Sequence, residues 1–324
     1  MDSSTSAPAY ATEAKTTHWL AVLSIAATAT VFGGGFAAMQ TVLNGGLSVG
    51  AAITVRFCLA TVLLGAILLV RRTTITRQGL FDGAVLGVIL VTIFWLQTDG
   101  LRFTTTSKSA FITSLYVPLT PLMALVLGDR VRVHHAIGAV LATIGLLALV
   151  HVPGGVLSGW NRGDFETLIV AVFCAAHLTA TSHFSRRTSG WVLAFVQMAV
   201  VALLSLPITL LLPAPNGFQG AIVALSRHDV QIAMTYMVVL NSVFAFWAQS
   251  TMQAHLSSTE TAVIFSLEPV VAGLVGVFWV GESLTGMQLL GAVLILFAML
   301  AAEILPRLLY RDPVAIAEAE TEVP

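Results

Sequence analysis

The chain has 324 residues, of which 57% are hydrophobic and only 10% charged, and its formal net charge is -1. A domain that lives in water carries about 25% charged residues, so this chain needs lipid as its solvent. The balanced charge excludes a nucleic-acid partner and a polybasic membrane-surface binder.

In chain order, residues 1–18 are rich in Ser, Thr and Ala and read as a disordered tail. Ten apolar stretches follow, at about 19–40, 48–70, 79–101, 106–127, 133–151, 165–184, 190–212, 231–254, 258–280 and 285–305. A helix needs about 20 apolar residues to cross the hydrocarbon. Lipid leaves no backbone group free to bond water, so runs of this length are read as helices. The alternating pattern of an outer-membrane barrel is absent. The expectation is therefore an all-α membrane protein with ten transmembrane helices. The first stretch has Lys15 ahead of it and Ala27-Thr28-Ala29 within it, as a signal peptide would. It runs on to about Met39, too long for a signal core, and is read as a span. Residues 152–164 read as a linker. Residues 211–229, with Pro213, Pro215, Asn216 and Gly217, read as a loop with a short interfacial helix, and 306–324 as an acidic tail.

The sequence repeats itself. Phe94-Trp95-x-Gln97, then Ser107, Ala110 and Ser114-Leu115, returns 152 residues later as Phe246-Trp247-x-Gln249, then Thr259, Ala262 and Ser266-Leu267. Gly138-Ala139-Val140-Leu141 returns as Gly291-Ala292-Val293-Leu294, and Val31-Phe32 as Val172-Phe173. The halves are then 19–151 and 165–305, with five spans each. Five is odd, so the second half enters the membrane in the opposite sense. With the N-terminus inside, ten of the fifteen Lys and Arg residues are cytoplasmic and three, Arg102, Arg162 and Arg227, lie outside. The positive-inside rule favours both termini on the cytoplasmic side of an inner (cytoplasmic) membrane. Two related halves of this kind are the usual build of a secondary transporter, with its substrate near mid-membrane between them.

The two halves resemble the drug/metabolite transporter superfamily, specifically its ten-helix EamA-type members. The residues that carry the likeness are Thr106 to Tyr116 followed by Gly128-Asp129-Arg130, and in the second half Ser257 to Ala262, Leu267-Glu268-Pro269 and Gly281-Glu282; Arg56-Phe57 fits as well. The chain departs from the pattern at Asp129, where Glu is usual, and at Gly33-Gly34-Gly35, where a Trp-Gly pair is usual. The resemblance implies an inverted 5+5 carrier. Its cavity would be lined by spans 1, 3, 4, 6, 8 and 9, with spans 5 and 10 at the back. Its substrates would be amino acids or related small metabolites.

Ionisable or polar groups at mid-span are costly in lipid, which makes them the candidates for a site. Glu268, followed by Pro269, can bind a substrate ammonium or a proton, or tie helices together. His177 can carry a proton or simply pack. Arg56 reads as a structural ion pair or a substrate contact. Tyr116, set opposite Pro269 in the repeat, and Gln97 and Gln249 are further cavity candidates. Trp95 and Trp247 are symmetry mates, expected as gate aromatics or as interface anchors. Pro118, Pro121 and Pro269 can break their helices and let one end move. Lys108 and Glu260 begin their spans with opposite charge and read as helix-end residues. The positions where the copies diverge are Tyr116 against Pro269, Phe36 against His177 and Arg56 against Gln197. Cys58 and Cys174 read as small core residues. Gly83 with Gly87, and Gly138 with Gly145, read as close-packing faces or a dimer seam.

No nucleophile–base pair, metal-ligand spacing or P-loop is present, so neither a catalytic residue, a metal nor a cofactor is expected. The reading is a secondary transporter that works by alternating access and exports an amino acid or similar metabolite, as a monomer or homodimer, driven by the substrate gradient or a coupled proton or ion. Its alternatives are an importer, a multidrug exporter and, remotely, an intramembrane enzyme built on His177, His183 or Glu268.

Overall fold

The computed structural model describes residues 7–126, 128, 131–149, 160–211, 217–280 and 285–309. The Asp129-Arg130 and Gly281-Glu282 turns, most of the 152–164 linker, Pro213 to Asn216 and the end of the C-terminal tail lie outside the described residues. Every regular element among those described is helical. The first long helices are α1 (Ala7–Asn44), α2 (Val49–Val70) and α3 (Arg77–Gly100). The fourth span is two short helices, α4 (Thr106–Thr113) and α5 (Tyr116–Val126). Then come α6 (Val133–Leu149), α7 (Arg162–Phe184), α8 (Gly190–Leu211) and α9 (Gly217–Ser226), the last in the stretch read as a loop with a short helix. α10 (His228–Tyr236) widens into a π segment, Met237–Phe244, and continues as α11 (Ala245–Met252). The ninth span is again split, into α12 (Ser258–Phe265) and α13 (Leu267–Val275), and α14 (Gly286–Leu309) ends the fold.

Local sequence sets the starts. Ser48, Thr76, Thr105, Asn161 and Ser257 each accept a hydrogen bond from a first-turn N–H, so their helices begin with an orphan donor satisfied. α1 already begins at Ala7, within the stretch expected to be a tail, because its first turns carry the Ala that favours helix.

Eight of the described helical stretches are long and apolar enough to cross a membrane. α6 belongs to the expected fifth span and α14, with 24 residues, to the expected tenth. The 17 residues of α6 rise about 26 Å, short of the roughly 30 Å hydrocarbon. α6 and α14 pack along each other, with Gly145 close against the Gly291 carbonyl and Ile295. Gly83 and Gly87 are covered by Val196 and Val200 of α8, so their small-residue face is used inside the chain.

Large apolar side chains such as Leu59, Val62, Leu63, Phe81, Leu122, Leu147, Phe165, Leu203 and Phe297 point outward. An apolar surface this extensive suits acyl chains and would be unstable in water. Cys58 lies on it rather than in the core: Arg56, Phe57, Ala60 and Leu64 take the inward face of α2. Interior packing gathers in three clusters, two of which meet at Phe32, whose ring packs on Phe246 and Phe265.

Candidate functional site

Both helix breaks arise from the duplicated Ser-Leu. At the first, the Ser114 hydroxyl donates to the Ala110 carbonyl at 2.7 Å. Pro118 has no N–H to offer the Ser114 carbonyl four residues back, and the Val117 N–H takes that carbonyl at 3.0 Å in a tighter turn. At the second, the Ser266 hydroxyl donates to the Val263 carbonyl at 2.5 Å. Here Pro269 frees the Phe265 carbonyl, and the Tyr116 phenol donates to it across the molecule at 3.2 Å. Tyr116 thus caps a carbonyl that the opposite broken helix cannot satisfy itself.

The same phenol oxygen lies 3.1 Å from Glu268 Oε2. A phenol has one hydrogen and two lone pairs. With Glu268 ionised, that hydrogen is shared between two acceptors. With a proton on Glu268, the carboxyl donates to the phenol oxygen and the phenol donates to the Phe265 carbonyl, so each partner is satisfied. Tyr116 and Glu268 each stand two residues past their break. Counted from the breaks, the repeat mate of Tyr116 is therefore Glu268, not Pro269 as the sequence alignment placed it. The one-residue offset between the repeat blocks falls after this point.

A cavity of about 790 Å³, counted to its open mouth, lies beside these breaks. Its wall is drawn from α1, α3, α4, α5, α7, the π segment with α11, α12 and α13, and from α2 only through Arg56. Gln97, Tyr116, His177, Gln249 and Glu268 all reach it. Gln97 donates to Thr113 at 3.1 Å and Gln249 to Gln253 at 3.2 Å. His177 Nε2 lies 3.1 Å from Gln197 Oε1, and its ring stands edge-on to Phe246. Cys174 is on the same wall.

Three sequence expectations change. Trp95 and Trp247 are off the cavity: the Trp95 indole donates to Ser205 on α8 at 3.3 Å, and Trp247 stacks on Trp191 at 4.6 Å between ring centroids. Phe94 and Gln97 take the inward face of α3, and the adjacent Trp95 is turned away by the helical step. Arg56 makes no ion pair with a carboxylate among the described residues; its Nε donates to Ser242 Oγ at 2.8 Å and its Nη2 to Asn241 Oδ1 at 2.6 Å. Of the prolines, Pro118 and Pro269 stand at the helix breaks, but Pro121 lies inside α5 and does not break it.

The glycine triplet has a packing reason. A Cβ on Gly33 would meet the Glu268 carbonyl and Val271, one on Gly34 the Tyr236 hydroxyl, and one on Gly35 the Asn241 amide. Without side chains there, α1 closes on both α13 and the π segment. Tyr236 and Asn241 then both donate to the Val31 carbonyl, at 2.7 and 2.9 Å.

Sequence reasoning missed Asn241 and the aromatic lining of Phe32, Phe94, Phe246 and Phe265. Asn241 is a polar residue in the middle of the eighth apolar stretch, so the criterion that found Glu268 would have found it. The phenylalanines Phe94 and Phe246 were visible as repeat markers, but their chemistry does not distinguish lining from core.

Charged groups away from the cavity tie the helix ends. Lys108 Nζ meets Asp164 Oδ2 at 2.6 Å, and Asp164 also closes the capping box at the start of α7. Glu260 closes the corresponding box on α12 and lies 3.2 Å from His18. Arg187 holds the buried Asp82 in two hydrogen bonds, at 2.6 and 3.0 Å, which raise the guanidinium above its ordinary range. Asp99 pairs with Arg102 and Arg162.

A largely apolar cavity with a few polar groups, set where two broken membrane helices meet, suits a multi-pass transport protein. The chain belongs to the EamA-like transporter family, whose sequence profile matches residues 19–151 and 161–302. It is 32% identical to an uncharacterised transporter of Archaeoglobus fulgidus, over 68% of this chain and 67% of that one. It is 27% identical to an uncharacterised transporter of Bacillus subtilis, over 70% and 74%. A WAT1-related chloroplastic protein of Arabidopsis thaliana is 26% identical over 68% of this chain, which spans just over half of the plant protein's length, 54%. One solved crystal structure shares the fold, with a TM-score of 0.70 at 19% identity, over 93% of this chain and 99% of the other.

Proposed function

We propose that the chain is a secondary transporter of the cytoplasmic membrane that exports amino acids or related small metabolites, unchanged, by alternating access. In this reading ten spans form two inverted five-helix repeats, 19–151 and 165–305, with both termini cytoplasmic. The repeat is supported by counterparts that touch. Tyr116 bonds Glu268, Phe94 packs on Phe246 with ring centroids 6.0 Å apart, and α6 packs on α14. Counterparts related by a two-fold meet only at its axis, so the axis passes beside the cavity.

One observation carries the functional reading. The breaks of spans 4 and 9 converge on one cavity, apolar over most of its lining, where Glu268 offers an acceptor for a substrate ammonium. Irregular backbone at mid-membrane depth is tolerated where it lines such a space. Transport is tested with purified protein in sealed vesicles preloaded with unlabelled metabolite, by following counterflow of labelled amino acids and amines. Saturable exchange of unmodified solute is expected. Chemical conversion of the solute, or no exchange of any solute tested, overturns the reading. Vesicles with an imposed gradient then give the direction, which separates an exporter from an importer.

A further inference from the structure

Arg56 places a charge in the interior. The residue is only 1% exposed, and transfer of such a charge out of water costs several kcal/mol unless a counter-charge compensates it. No carboxylate among the described residues meets it. Its side-on edge, Nε and one Nη2 hydrogen, is spent on the adjacent Ser242 and Asn241. Its flat faces are covered by the Phe57 and Phe94 rings, 4.7 and 4.6 Å from the guanidinium carbon. Three hydrogens remain, two on Nη1 and the second on Nη2, and one from each nitrogen makes the end-on edge. No acceptor among the described residues takes Nη1, and Arg56 borders the cavity. Two neutral partners do not require a cation; an amide in its place would bond them at a smaller desolvation cost. The ring contacts and the two bonds fix the guanidinium plane, which holds a bidentate fork ready for a carboxylate.

We infer that Arg56 is the carboxylate-binding pole of the cavity, and that the substrate is a small zwitterion. Its carboxylate takes the end-on edge of Arg56, and its ammonium goes to the Glu268–Tyr116 pair in the same cavity lining. The inference rests on the transport reading and narrows its substrate class. A phosphate ester fits poorly, because a dianion would meet one cation and a glutamate in the same cavity. The phenylalanines of the lining suit an apolar side chain.

The test uses the full chain purified in detergent, with thermal stabilisation as the readout, since a ligand that binds the folded state raises its stability. The probes are L-leucine and L-phenylalanine, each beside its methyl ester and its decarboxylated amine, isoamylamine or phenethylamine. At least one amino acid is expected to stabilise the wild type, with an ester and an amine about tenfold or more weaker, as loss of a charge-assisted hydrogen bond requires. Arg56→Gln abolishes that stabilisation, and Arg56→Lys, which keeps the charge without the fork, retains part of it. The inference is overturned by esters or amines that match the amino acids, by no stabilisation from either amino acid, or by an Arg56→Gln protein that responds as the wild type does. If Arg56→Gln does not fold, the wild-type comparison decides alone. Counterflow separates the two readings: esters or amines that exchange as well as amino acids sink the zwitterion and leave transport standing. Amino acids that bind but never exchange sink transport.

Discussion

Tyr116 and Glu268 constrain each other because the phenol has one hydrogen for two acceptors, Glu268 Oε2 at 3.1 Å and the Phe265 carbonyl at 3.2 Å. Tyr116→Phe leaves the Phe265 carbonyl without its donor in an apolar interior, and an unsatisfied buried acceptor costs about 1–3 kcal/mol. The expected result is a lower melting temperature for the purified protein. Glu268→Gln keeps a group that can bond the phenol, so the melting temperature should hold. Counterflow of amino acids should fall about tenfold or more, the worth of a hydrogen bond to a charged group. Normal transport by a well-folded Glu268→Gln would assign Glu268 to structure alone. These two residues were legible in the sequence because a polar group in mid-span has to be explained. Arg56 was legible as an anomaly but not in its surroundings: nothing in the order of residues brings Asn241 and Ser242 to its side-on edge. The tryptophans misled because a shared motif fixes position along a helix, whereas facing depends on which neighbour packs there.

At the scale of an element, the broken spans follow from serine and proline acting together. Pro269→Ala restores an N–H that can bond the Phe265 carbonyl within its own helix. The ninth span should then straighten, the protein should gain about 1 kcal/mol or more of stability, and counterflow should slow as one helix end loses its freedom to move. A variant that is stabilised and transports at the wild-type rate would remove the break from the mechanism. The sequence showed the prolines and the duplicated Ser-Leu, hence the existence of two special spans. It did not show the exchange by which Tyr116 of one span satisfies the carbonyl freed in the other, since that bond joins residues 149 apart. The π segment was invisible for a similar reason. A widened turn leaves the apolar pattern intact and is betrayed only by where Asn241 points.

For the whole molecule, the length and composition of the apolar runs made an all-helical membrane protein readable, because these are bulk properties. The Lys108–Asp164 and Glu260–His18 ties hold the first turns of two repeat-related spans, and in the proposed topology they lie at opposite membrane faces. Each is expected to keep its own side closed. Cys174 on the cavity wall reports this, in a Cys58→Ser background with a membrane-impermeant maleimide. Lys108→Gln should raise labelling from outside, and Glu260→Gln should raise it from the cytoplasmic side. Equal labelling from both faces in both variants would separate these ties from gating.

The contact between Tyr116 and Glu268 carries one more consequence. In the proposed inverted-repeat arrangement, two identical five-helix chains would put on the axis a side chain that can only face a copy of itself. Two glutamates there would repel, and two tyrosines would leave no acidic group. Joined in one chain, the two positions are encoded separately and can differ, so a donor can face an acceptor. Fusion of the halves is thus a chemical condition for this pair, and separately expressed halves that paired like with like would lose it.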